Sequence, residues 1–154
     1  MTVVIEPMND QDVESVARLR LAAFFEGTDR SLGEDMAGLR ELLIADDGSE
    51  VSLVARVGGA LAGTVLLVRS ELDGPHDLTP WLAGLVVARD FRLKGIGTML
   101  VRAVEAHAAA MGVQTLHLYT WEAQGFYAAL GWRGIERFQQ DGEPMMLMAR
   151  DPRL

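Results

Sequence analysis

The chain has 154 residues, 49% of them hydrophobic, with a formal net charge of -8 and no cysteine. That is the length of one domain with apolar content enough to bury a core unaided, which excludes a disordered chain, disulfides, thiolate metal sites and a cysteine nucleophile. The acidic balance opposes nucleic-acid binding, and no apolar run reaches membrane-spanning length. The N-terminus lacks the basic-then-apolar layout of a secretory leader. The expectation is a single cytoplasmic domain over 1–154 with no nucleic-acid or membrane partner.

Thr2 to Glu6 predicts a first strand, ended by Pro7. Asn9 or Asp10 can cap a helix to about Phe24, with Val13, Val16, Ala17, Leu21 and Phe24 on one face. Ser31-x-x-Glu34 is a capping box for a second helix ending near Ile44. Asp46-Asp47-Gly48 is a turn. Val51 to Val57 and Leu61 to Arg69 flank Gly58-Gly59, a hairpin signal. Glu71 to Pro80 is a polar loop containing Gly74-Pro75. The apolar run Leu82 to Ala88 leads through a glycine turn into helix formers from Met99 to Met111, closed by Gly112. Val113 to Thr120 predicts a strand and Ala123 to Leu130 a short helix. Arg133 to Gln139 and Glu143 to Arg150 predict a last hairpin across Asp141-Gly142.

The turn Arg92-Leu93-Lys94-Gly95-Ile96-Gly97-Thr98 carries the chemistry. A helix start leaves backbone N–H groups free, and its dipole favours negative charge. Gly95 and Gly97 let a phosphate approach the backbone, and Arg92 and Lys94 add positive charge. Lys94 is the one lysine of the chain. A Walker loop has four residues between its glycines; here there is one. A dinucleotide fingerprint has a third glycine where Leu100 stands. The alternative is a glycine turn that only reverses the chain.

Arg92-x-x-Gly95-x-Gly97, between an apolar strand and a helix, resembles the acyl-coenzyme A signature of the GNAT N-acetyltransferase superfamily. Downstream, Gly125-Phe126-Tyr127-Ala128-Ala129-Leu130-Gly131-Trp132 is similar to that family's Phe-Tyr-x-x-x-Gly-Phe segment, with Trp132 for the final Phe. The order of elements matches as well. The resemblance implies an α/β (α+β) fold of GNAT type: a mixed, twisted sheet of about seven strands with helices on both faces. It implies an acetyl-CoA-dependent N-acetyltransferase acting on a primary amine of a small molecule or peptide by direct attack in a ternary complex. The alternative within the family is a non-catalytic acyl-CoA sensor.

The resemblance also implies site residues. Backbone N–H groups from Ile96 to Leu100, across Gly97 and Thr98, with Gly95 and the side chains of Arg92 and Lys94, would hold the pyrophosphate, and Thr98 could add its hydroxyl. A backbone N–H of the preceding strand, at Val87, Val86 or Leu85, would polarise the thioester carbonyl, worth about 3–4 kcal/mol. Tyr127 would protonate the leaving thiolate, because a phenol keeps its proton at neutral pH. Phe126 reads as cofactor-wall packing. The strand Trp81 to Val87 lacks the glutamate that some members use as base. Glu122, Glu26, Asp77 and His76 are the candidates, beside a water chain or backbone carbonyl.

His76, His107 and His117 have no paired carboxylates at ligand spacing, so no metal is expected. His107 falls on the apolar face of the long helix and reads as a satisfied core histidine. Trp81 and Trp121 either line the acceptor cleft or seal the core. Met145, Met146 and Met148 read as strand packing. The acceptor amine, the length of the acyl chain and a homodimeric state stay open.

Overall fold

The computed structural model describes residues 1–44, 47–74 and 76–154. Asp46 of the predicted turn and Pro75 of the predicted loop lie outside the described residues. Strands β1 (Val3–Pro7), β2 (Val51–Val57), β3 (Ala60–Val68), β4 (Trp81–Val87), β5 (Leu116–Thr120), β6 (Arg133–Gln140) and β7 (Glu143–Arg150) form one sheet. Its order is β1-β2-β3-β4-β5-β7-β6. Every neighbouring pair is antiparallel except β4 and β5.

Helices α1 (Val13–Phe24) and α2 (Leu32–Ile44) cover one face. Helix α3 (Ile96–Ala110) covers the other, and α4 (Gln124–Ala129) packs near β6. The central strands divide their side chains between two cores by the two-residue alternation of a strand. Val65, Leu67 and Leu82 join Leu100, Val101 and Val104 of α3. Leu66, Val68, Trp81 and Ala83 join Val13, Val16 and Ala17 of α1 and Leu39 of α2. Burial on both faces explains why β3 reads as a continuous apolar run.

The boundaries follow from local chemistry. A 3-10 turn, Asp10–Asp12, precedes α1. Asn9 caps it, accepting from Gln11 N–H at 2.9 Å while its own N–H donates to Asp12 at 2.9 Å. On α1 the predicted face is corrected: Arg20 is buried and Phe24 is exposed. The α2 capping box is as predicted. Glu34 N–H donates to Ser31 Oγ at 3.1 Å, and Ser31 N–H to Glu34 Oε1 at 3.0 Å. Replacing Ser31 by Ala should therefore cost about 1 kcal/mol. In calorimetry this is a fall in Tm of about 2–4 °C, and an unchanged Tm would show the cap to be idle.

Two ends differ from the sequence reading. Helix α3 begins at Ile96, three residues before the predicted Met99, because Gly95 takes a left-handed φ of 80° and turns the chain directly into it. Strand β5 begins at Leu116, not Val113, because Val113 N–H still closes the helix on Ala108 O at 3.0 Å. Gly112, at φ 82°, makes that closure.

Glu105 of α3 is buried and ties the helix to the distant strands. It accepts from Trp132 Nε1 at 3.0 Å and Arg102 Nη1 at 2.8 Å, and its Oε2 lies 3.4 Å from Arg150 Nε of β7. Beneath α1, Asp35 (1% exposed) accepts from Arg20 at 3.0 and 3.3 Å and from Arg30 at 2.9 Å. Between them, the Phe25 ring lies 5.8 Å from the Arg20 guanidinium and 5.1 Å from that of Arg30.

Candidate active site

Strands β4 and β5 share a single register pair, Trp81 with His117, and part beyond it. The register of β4 against β3 shifts in the same region: Thr64 faces Val86 while Leu66 faces Ala83. One extra residue of β4 is absorbed there, beside Gly84 at φ 61°. Above this bulge, Ala88 N–H donates to Ala62 O at 2.8 Å. Alternation along the strand therefore turns the Val87 N–H to the opposite edge, into the gap.

The glycine turn opens into the same gap. Gly95 is the N-cap of α3 and supplies no side-chain cap. The first intrahelical bond runs from Met99 N–H to Gly95 O at 3.1 Å. The N–H groups of Ile96, Gly97 and Thr98 thus have no partner within the helix. Arg92 Nε donates to Val87 O at 3.1 Å, locking turn to strand. Neither Arg92 nor Lys94 makes an ion pair among the described residues. A Cβ at Gly95 would meet open space, whereas one at Gly97 would lie 3.7 Å from the Phe126 ring and 3.8 Å from Val87 Cγ2.

These groups line a cleft of about 500 Å³. Leu85, Val86 and Val87 form one wall, and Gly95, Ile96, Gly97 and Thr98 another. Arg92 and Phe126 border it, with Ala23 and Phe24 from the end of α1 opposite. An anionic chain with a polar carbonyl fits this set of donors.

The remaining predicted residues lie outside the lining. Lys94 is exposed on the turn. Tyr127 is buried behind Phe126, ring centroids 5.0 Å apart, and 6.0 Å from Trp132. Burial pushes its phenol up to about 12. Its hydroxyl makes no hydrogen bond to protein among the described residues. Glu122 is exposed ahead of α4, and Glu26 is exposed past α1. His76 and Asp77 line a separate hollow beneath the β3–β4 loop. His107 Nε2 donates to Gly48 O at 2.8 Å, which is a structural role. Trp81 seals the core, while Trp121 is 59% exposed.

A family model described as Acetyltransferase (GNAT) family matches residues 13–132. The chain belongs to the GNAT acetyltransferase family. Mouse N-alpha-acetyltransferase 80 is 41% identical over 78 residues, 51% of this chain and 22% of the mouse protein. The chain thus spans about a fifth of that relative. Solved structures share the fold. An aminoglycoside 6'-N-acetyltransferase complexed with coenzyme A superposes with a TM-score of 0.76 at 18% identity, covering 97% of both chains. For yncA of Salmonella typhimurium with its cofactor acetyl-CoA the TM-score is 0.79 at 13% identity, covering 99% of this chain and 95% of that one. Ard1 from Thermoplasma volcanium gives 0.72 at 19%, covering 98% of both.

The GNAT cofactor suits this cleft on its own geometry: free helix N–H groups, an Arg92 that makes no ion pair among the described residues and an open Gly95. Two residues at the β4 bulge beside the cleft escaped the sequence reading. Gly84 had a signal, a glycine inside an apolar strand. Arg20 had one too, a charge on the apolar face of α1 one turn beyond Val16. Among the described residues no helix is long and apolar enough to cross a membrane, and no group of acids and histidines could hold a metal.

Proposed function

We propose that this GNAT enzyme transfers an acetyl group from acetyl-CoA to a primary amine of a small molecule or peptide, by direct attack in a ternary complex. The observation that carries the reading is the convergence of two donor sets on one cleft. The free N–H groups of Ile96, Gly97 and Thr98 open into it beside the gap-facing N–H of Val87. Arg92, Lys94 and the α3 N-terminus hold the diphosphate. Bound there, acetyl-CoA supplies an activated thioester carbonyl. The Val87 N–H stabilises negative charge developing on the carbonyl oxygen, a contribution of about 3–4 kcal/mol. Tyr127 gives its proton to the departing sulfur. Desolvation that holds the phenol protonated also raises the basicity of a thiolate beside it, which keeps the transfer balanced. The N-alpha-acetyltransferase relative supports a peptide amine among the acceptors. The non-catalytic sensor reading is not favoured.

The test is binding followed by turnover. At roughly 100 times its dissociation constant, acetyl-CoA should add about 2.7 kcal/mol to stability. That is a rise in Tm of roughly 4–10 °C, absent with ATP. Free thiol should then appear when an amine is added. No rise at millimolar acetyl-CoA removes the cofactor assignment; a rise without thiol release for any amine restores the sensor.

A further inference from the structure

The alternation of side chains along β4 breaks once. Leu82, Leu85 and Val87 belong to the core under α3, and Ala83 to the core under α1. A Cβ at Gly84 would also point toward α1, 2.6 Å from Arg20 Nη1 and 3.7 Å from Leu66 Cγ. Two consecutive residues thus face one side, as the extra residue of a bulge requires. Gly84, at φ 61°, supplies no side chain there, and the Arg20 guanidinium occupies the space one would take.

Arg20 is held in that place from α2. Its Nε and Nη2 donate to the two carboxylate oxygens of Asp35 at 3.0 and 3.3 Å. This fork commits one edge of the planar guanidinium and leaves Nη1 directed at β4. Asp35 is itself steadied by Arg30 at 2.9 Å. Glu71 of the β3–β4 loop lies within electrostatic range of Arg20 but shares no hydrogen bond with it among the described residues. Across the ladder, Thr64 faces Val86 and its Oγ1 donates to Leu53 O at 2.9 Å, which fixes β3.

The position of the extra residue decides which β4 N–H groups face the gap. A slip of one residue exchanges the two edges of a strand. Val87 N–H therefore faces the gap only while the bulge stays at Gly84. We propose that Arg20 is a positioning residue for acetyl transfer: tied to Asp35, it holds the β4 bulge at Gly84 and so aims the Val87 N–H at the thioester carbonyl. The inference rests on the acetyl-transfer reading above. Arg20 itself does not line the cleft; Ala23 and Phe24 of the same helix do.

Arg20→Lys keeps a cation for Asp35 and gives up the nitrogen that rests on Gly84. At saturating amine it should lower kcat about 10–10²-fold, as a small misplacement of a donor does. Acetyl-CoA affinity by calorimetry should stay within about threefold, since the α3 N-terminus is untouched. The decisive readout is infrared difference spectroscopy with acetyl-CoA carrying carbon-13 at the thioester carbonyl. Bound to the unaltered enzyme, the carbonyl stretch should lie at lower wavenumber than in solution. In Arg20→Lys it should return toward the solution value. Gly84→Ala, whose methyl group competes with the guanidinium for one space, should give the same two results from the strand side. An unchanged kcat in Arg20→Lys, a loss confined to KM, or a lower kcat with the carbonyl still shifted overturns the positioning role and leaves acetyl transfer standing. Bound acetyl-CoA with an unshifted carbonyl in the unaltered enzyme overturns the Val87 reading, and the role of Arg20 with it.

Discussion

Tyr127→Phe should lower kcat about 10²–10⁴-fold while leaving the acetyl-CoA dissociation constant within about twofold. The substitution keeps the ring, and with it the contacts to Phe126 and Trp132. It removes only the hydroxyl, which holds nothing else in place among the described residues. The loss therefore reads the proton donated to sulfur, not a damaged fold. An acceptor pocket defect would instead raise KM at constant kcat. Stopped-flow thiol release at saturating amine separates the two. A Tyr127→Phe enzyme with unchanged kcat would assign proton delivery to water and leave Tyr127 as core packing.

Asp35→Asn should be the most destabilising polar substitution beneath the cleft. Asp35 is 1% exposed and is the shared acceptor of Arg20 and Arg30. The amide fills the same space but leaves the buried Arg20 without its anion. Breaking a buried pair from one side costs about 3–5 kcal/mol, roughly 6–20 °C in Tm for a domain of this size. Urea unfolding of the two proteins at pH 7 measures it. A loss below about 1 kcal/mol would mean that Glu71 takes over as the counter-ion of Arg20, and Glu71→Gln on the Asp35→Asn background would then expose the missing energy.

The element order and the glycine turn were legible because both rest on local chemistry. Ser31 and Glu34 cap each other across three residues, and Gly95 needs its left-handed φ whatever surrounds it. The β4 N–H that faces the gap was legible only as a choice among Leu85, Val86 and Val87. Picking Val87 requires the pairing of Ala88 with Ala62, a contact across 26 residues of chain that no local pattern encodes. The start of β5 was misplaced because β-propensity at Val113 lost to helix closure at Gly112. Which face of α1 would be buried was hidden as well, because Arg20 finds its partner in Asp35, a residue of the next helix.

The single rung between β4 and β5 divides the sheet into two plates, β1 to β4 and β5 to β7. Backbone bonding gives this seam little stiffness, so resistance to prying falls on what crosses behind it. The apolar core spans it, and Glu105 clasps Trp132 and Arg150 from the far plate onto α3. The clasp thus joins the two plates through α3, which packs on β2, β3 and β4, and not through the backbone ladder.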